Sequence, residues 1–250
     1  MVDLSVCIEM VYDDDPFHER VHRTAAAGVN AVEFWDWREK DMDAIKTAAD
    51  EAGVDIVGCL AGGELTDPEA ADDAVETIRE SIETAGDLGV PTLIATTGPD
   101  QEALNRATQH ENIVDVLSRV APDAEDADVT IALEPLNTAV DHPGYFLTTS
   151  AEGFDIIDEV GSENVRLLYD VYHQQITEGN VIQTITENVD RIGHIHIADV
   201  PGRHEPGTGE LNYTNIFDAI DEAGYDGYVG CEFAPTGDPD DAMAGVRERN

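Results

Sequence analysis

Four apolar runs in the second half of the chain each end in a residue that can bind a metal or carry a proton. Thr130–Glu134, Val165–Asp170 and Val229–Glu232 close on carboxylates, and Ile192–His196 closes on an imidazole. Gaps of 36, 26 and 36 residues separate the four closing residues. Each gap is long enough for one strand and one helix, so the spacing predicts successive strand–helix units. In parallel barrels the active site lies at the C-terminal ends of the strands. The chain can therefore gather Glu134, Asp170, His196 and Glu232 at one end of a parallel sheet or barrel.

The first half repeats the rhythm. Leu4–Met10, Asn30–Trp35, Val54–Leu60 and Pro91–Thr97 read as strands. Helices are expected from Asp14 to the stop at Gly28, at 41–52, at 67–88 and over most of 100–126, then at 150–160, 178–190 and 213–223. A last helix after Pro239 reads as short, leaving the final unit partly covered. Gly28, Gly53, Gly89, Gly161 and Gly224 each follow a helix and precede a strand, where a left-handed residue stops the helix. Eight strands alternating with helices predict an α/β fold, a single (β/α)8 TIM barrel over residues 1–250. An open doubly wound sheet would carry a glycine-rich phosphate loop after its first strand. Here the segment Val11–Pro16 is acidic and glycine-free.

Charge narrows the partners. There are 54 acidic residues against 13 basic, a net charge of −41, and only Lys40 and Lys46 are lysines. Phosphate backbones would be repelled, which argues against nucleic acid. The acids are interleaved with apolar residues at helical spacing, unlike a disordered chain. No apolar run reaches the ~20 residues of a membrane span, and Met1–Ser5 has no basic-then-apolar leader pattern, so a cytoplasmic protein is expected. Cys7, Cys59 and Cys231 sit inside apolar runs and are expected as buried, unpaired thiols.

Three carboxylates meeting without a cation would repel one another and raise a pKa. A divalent ion removes the conflict, and oxygen-rich ligation with one imidazole suits Mg²⁺ or Mn²⁺, with Zn²⁺, Co²⁺ and Ni²⁺ as alternatives. A single carboxylate after a strand is commonly only a helix cap; four on successive units are not so easily explained. His173, three residues past Asp170, can face the same pocket and bind a substrate oxygen. Arg203, one of eleven arginines, lies in a Gly/Pro-rich loop and can grip a substrate carboxylate in an otherwise repulsive protein. Glu33, ending the second strand, can orient His173 or a substrate hydroxyl. His194 shares a strand face with His196 and reads as an interior histidine one layer deeper. Trp35, Trp37 and Phe233 read as core residues, with pocket walls as the alternative.

The chain resembles the xylose isomerase-like superfamily of sugar isomerases and epimerases, and within it the hydroxypyruvate isomerase family. The resemblance rests on Ala31-Val-Glu-Phe-Trp35, Glu134-Pro-Leu-Asn137, Tyr169-Asp-Val-Tyr-His-Gln-Gln175, His194 to Glu210 and Gly230-Cys-Glu-Phe233. It implies that Glu134 and Glu232 are catalytic glutamates that also touch the metal, with Asp170 and His196 completing its ligands. A histidine at position 196 is the pattern of the metal-dependent ketose epimerases. The implied reaction interconverts hydroxypyruvate and tartronate semialdehyde by metal-assisted proton transfer through a cis-enediolate. A ketose 3-epimerase and a 2-oxo-tetronate isomerase share that chemistry. The implied partner is a small-molecule hydroxy-oxo acid or ketose, with no nucleic acid and no membrane; assembly as a homo-oligomer is left open. DNA-repair endonucleases of the same barrel family are disfavoured by the charge. A non-catalytic barrel-fold binding protein would bind no metal and turn nothing over.

The charge excess generates a direct expectation, adaptation to a salt-rich medium. At 1 M salt the Debye length falls to roughly 3 Å and self-repulsion is screened. The melting temperature is expected to rise with KCl concentration, read by circular dichroism; a midpoint indifferent to KCl would refute the adaptation.

Overall fold

A computed structural model describes Met1–Asn250. Its eight strands are joined in chain order, β1 to β8, as a closed barrel. They are Asp3–Cys7 (β1), Ala31–Glu33 (β2), Asp55–Leu60 (β3), Thr92–Thr96 (β4), Thr130–Glu134 (β5), Val165–Asp170 (β6), Ile192–Ile197 (β7) and Tyr228–Cys231 (β8). The pairs β1–β2, β1–β8, β2–β3, β4–β5, β5–β6 and β7–β8 are parallel. The expected TIM barrel is the observed fold. No helix is long and apolar enough to cross a membrane.

The chain divides into two compact units. The first comprises Met1–Gly58, Asn180–Asp190 and Ile195–Asn250. In it β1 lies between β2 and β8, with Cys7 opposite Glu33 and Val6 opposite Cys231. On the other side of β8, His196 stands opposite Gly230. Helices α1 (Phe17–Ala26) and α2 (Met42–Ala52) pack together. The Asp41 carboxylate accepts from Ala44 N at 3.1 Å to start α2, and Gly53, at φ 67°, ends it in the left-handed conformation.

The second unit comprises Cys59–Gly179 and Arg191–His194. Here β5 lies between β4 and β6, with Thr96 opposite Glu134 and Leu133 opposite Leu167. Helix α3 (Ala71–Leu88) packs on α4 (Arg106–Ala127), and α4 on α5 (Ser150–Val160).

Local side-chain chemistry moved several expected boundaries. Residues 8–10 leave β1 in a turn, and β2 is only three residues long. Asp67 holds a turn by accepting from Glu69 N at 2.9 Å, so α3 begins at Ala71. Asn105 caps α4 by accepting from Thr108 N at 3.0 Å, which excludes residues 100–105 from the helix. The helix expected at 178–190 is a shorter α7, Val181–Asn188, preceded by an unforeseen α6, Val171–Thr177. Gly179 and Asn180, both at positive φ, separate the two. Helix α8 spans Tyr213–Glu222, near the expected 213–223, and the last helix, α9 (Pro239–Arg249), has 11 residues, as many as α2, and is not the short helix expected. Proline at its start, acids in its first turn and arginines in its last all favour it. The three cysteines are buried and form no disulfide, as expected.

The loop after β7 is organised by one buried carboxylate. Asp199 accepts from the backbone N–H groups of Val200 (2.9 Å), Gly207 (2.8 Å), Gly209 (2.9 Å) and Leu211 (3.1 Å). Arg203 N donates to Asp199 O at 3.1 Å, and Ala234 N to Arg203 O at 2.9 Å. The loop is thereby tied to the segment that follows β8. Replacing Asp199 by Ala orphans these donors, and a buried unsatisfied group costs about 1–3 kcal/mol. Asp199→Ala is expected to lose about 2–4 kcal/mol after local relaxation, read as a lower urea midpoint.

Candidate metal centre

In the first unit, β2, β7 and β8 aim three ionisable side chains at one another. Nε2 of His196 lies 2.8 Å from Glu33 Oε1, and its Nδ1 lies 3.2 Å from Glu232 Oε2. The other Glu33 oxygen accepts from Ser5 Oγ at 2.9 Å. Gly230 makes the arrangement possible: a Cβ there would come within 3 Å of both Glu33 oxygens and of the His196 ring. One ring nitrogen thus sits beside the Glu33 carboxylate and the other faces Glu232, a placement from which an outer carboxylate can orient a metal-binding histidine.

Glu232 follows the last residue of β8 and is buried. Its Oε2 pairs with the Arg203 guanidinium. Its Oε1 accepts from Trp35 Nε1 at 3.0 Å and is approached by Cys7 Sγ at 3.9 Å. Burial pushes the carboxyl pKa up, but the positive charges of His196 and Arg203 and the Trp35 hydrogen bond outweigh it. The group is held well below the ordinary carboxylate range. Burial and the nearby carboxylates Glu232 and Glu33 push the Cys7 thiol up, so it stays protonated.

In the second unit, Glu134 and Asp170 end β5 and β6, both buried. Asp170 also caps α6, accepting from Tyr172 N (2.7 Å) and His173 N (3.1 Å). That cap carries His173 to a buried position, with Nε2 3.6 Å from Asp170 Oδ2.

One ligand atom from each of Glu134, Asp170, His196 and Glu232 lies within 4.8 Å of the others, all in buried side chains. Three carboxylates and one imidazole at that spacing fit a divalent cation: hard oxygen donors dominate, and burial makes their mutual repulsion costly. A second grouping at the same spacing joins Glu33, His194 and His196.

The side chains singled out in the sequence therefore fall into distinct places. The four strand-end donors converge, Arg203 touches Glu232 and His173 adjoins Asp170. Glu33 corrects one expectation: its carboxylate faces Ser5 and His196 rather than orienting His173. His194 is buried, as read, and offers a ring nitrogen within 4.8 Å of ligand atoms of Glu33 and His196. Phe233 is fully buried, and Arg38 covers the Trp37 ring at 4.6 Å. Trp35 is not a core residue; it is 41% exposed and donates to Glu232. Its position, two residues after Glu33 and past the end of a very short strand, was the only sequence signal for that role.

A family model described as xylose isomerase-like TIM barrel matches residues 21–248. The chain is 36% identical over 237 residues to the 2-oxo-tetronate isomerase of Cupriavidus necator, covering 91% of each chain. It is 31% identical over 251 residues to the hydroxypyruvate isomerase of Escherichia coli, covering 94% of each. Among solved structures, an AP endonuclease of family 2 from Brucella melitensis superposes with a TM-score of 0.91 at 30% identity, over 99% of each chain.

If Glu33 fixes the His196 ring, Glu33→Gln should lower divalent-cation affinity by about 10–100-fold, the range typical of lost outer-shell carboxylates. Titration calorimetry with Mn²⁺ checks this; unchanged affinity would reduce Glu33 to a packing role.

Proposed function

The chain belongs to the xylose isomerase-like TIM-barrel family and is an isomerase within it, and we propose that it interconverts hydroxypyruvate and tartronate semialdehyde. The observation that carries the reading is the convergence of Glu134, Asp170, His196 and Glu232 on one buried space. These four residues would hold a divalent cation, with Mg²⁺ or Mn²⁺ preferred for the oxygen-rich donor set. When bound, the cation supplies Lewis-acid polarisation of the substrate's oxygens.

The two compounds differ by the position of one carbon-bound proton and one hydroxyl proton. Glu232 takes the proton from the hydroxymethyl carbon, leaving a cis-enediolate; Glu134 accepts the hydroxyl proton of that intermediate and delivers it to the neighbouring carbon, and the proton on Glu232 passes to the other oxygen, so both carboxylates end ionised. Glu232 is held ionised, the form that accepts a proton. Arg203 grips the substrate carboxylate through its planar fork of N–H donors. His173 donates to a substrate oxygen from a buried position. Glu33 acts through His196. The reading takes residues 1–250 as one domain working in a salt-rich cytoplasm, which the net charge of −41 suits.

A second substrate has a specific observation in its favour, the 36% identity to a 2-oxo-tetronate isomerase. It too presents a carboxylate to Arg203 and uses the same proton transfer. A neutral ketose offers nothing for that arginine to clamp. Nucleic acid is a poor partner for a chain this acidic.

Glu232→Gln is expected to abolish exchange of the substrate's carbon-bound hydrogen with deuterated water, followed by proton NMR in molar KCl with Mg²⁺. Persisting exchange would remove Glu232 from the base role. A panel of hydroxypyruvate, four-carbon oxo acids and free ketoses is expected to rank the acids first by kcat/KM.

A further inference from the structure

His173 is fully buried, and its two ring nitrogens meet opposite environments. Nδ1 lies 3.2 Å from the backbone N–H of Asn137 and 2.7 Å from Asn137 Nδ2. The orientation of the Asn137 amide is settled by its surroundings. Its Oδ1 accepts from Val140 N at 2.9 Å and Asp141 N at 3.2 Å. Its Nδ2 faces Asp141 Oδ2 at 2.7 Å, so one amide hydrogen goes to that carboxylate and the other to His173. Asp141 Oδ2 is also held by the Tyr172 hydroxyl at 2.9 Å.

Nδ1 of His173 therefore receives two N–H donors and must offer its lone pair. A neutral imidazole carries one proton, so that proton is on Nε2. Nε2 has no hydrogen-bond partner in the protein, and Asp170 Oδ2 at 3.6 Å is beyond hydrogen-bond reach.

The geometry points to Asn137 and Asp141 as positioning residues that lock His173 in its Nε2–H tautomer. His173 is then a hydrogen-bond donor to a substrate carbonyl or hydroxyl oxygen and never a proton acceptor, which leaves the proton transfers to carboxylates. The identity of the accepting oxygen rests on the function proposed above; the tautomer does not.

The test is long-range proton–nitrogen NMR on the full-length ¹⁵N-labelled chain, in KCl with Mg²⁺, at a mildly alkaline pH where ordinary imidazole is neutral. The chain has eight histidines, and His173 is assigned by the signals missing from His173→Gln. The expected pattern is an unprotonated Nδ1 and a protonated Nε2. A proton on Nδ1, on either tautomer's mixture or on both nitrogens overturns the proposal, and this measurement needs no variant of the lock itself.

Asn137→Asp puts an acceptor where Nδ2 donates. It is expected to drive the proton to Nδ1 and to lower kcat/KM by about tenfold to a hundredfold, the worth of one or two hydrogen bonds to substrate. An unchanged tautomer in a folded Asn137→Asp variant would remove Asn137 from the lock. If the wild-type chain shows the Nε2–H form but turns over no oxo acid, the lock stands and the functional reading falls. Turnover with an Nδ1–H histidine has the reverse meaning.

Discussion

Like charges brought together away from water are the constraint around which this structure is arranged. Glu134, Asp170 and Glu232 are all buried, and their oxygens share a space less than 5 Å across with a nitrogen of His196. Burying one unpaired carboxylate is expensive, and each neighbour of the same sign adds to the cost. The chain itself sets a guanidinium, an indole N–H and the His196 ring against Glu232, and two backbone N–H groups against Asp170. The arrangement makes physical sense as a cage for a cation, held by a rigid frame that prevents the carboxylates from turning away.

The frame works at two levels. Parallel strands carry the donors, which stand at or next to the C-terminal ends of their strands, where such barrels place their sites. Loops then supply what strands cannot. Asp199 gathers the backbone of the segment that bears Arg203, and the Asp170 cap starts the helix that bears His173. In both places a carboxylate near the site is spent on backbone N–H groups. Removing Asp199 would therefore disturb the chemistry through geometry, and removing Asp170 would also take away a metal donor.

Much of this was legible in the residue order. The barrel and the four donors followed from apolar runs of strand length ending in ionisable groups, while His173 and Arg203 were read from their places after two of those runs. Boundaries were less legible because they depend on which side chain captures a backbone N–H. Asp67 and Asn105 each delay a helix start, and nothing in the apolar periodicity distinguishes a capping residue from an ordinary polar one. The α6 helix was hidden for the same reason: Asp170 reads as a ligand, and its second role as a cap appears only once the chain has turned.

What the sequence determined by itself is the class of fold and the kind of chemistry, since both reside in periodic patterning and in residue type. What only the tertiary structure decided is who touches whom. Glu33 was expected to orient His173 or a substrate hydroxyl and lies against His196, because β8 carries Gly230 where any side chain would have filled the gap. Trp35 was assigned to the core but sits at the surface above Glu232, because β2 ends two residues before it. Asn137 carried no chemical signal of its own, yet its amide is what orders the protons on His173. Such pairings join residues tens to hundreds of positions apart, and their geometry depends on strand register and loop path, which local sequence does not encode.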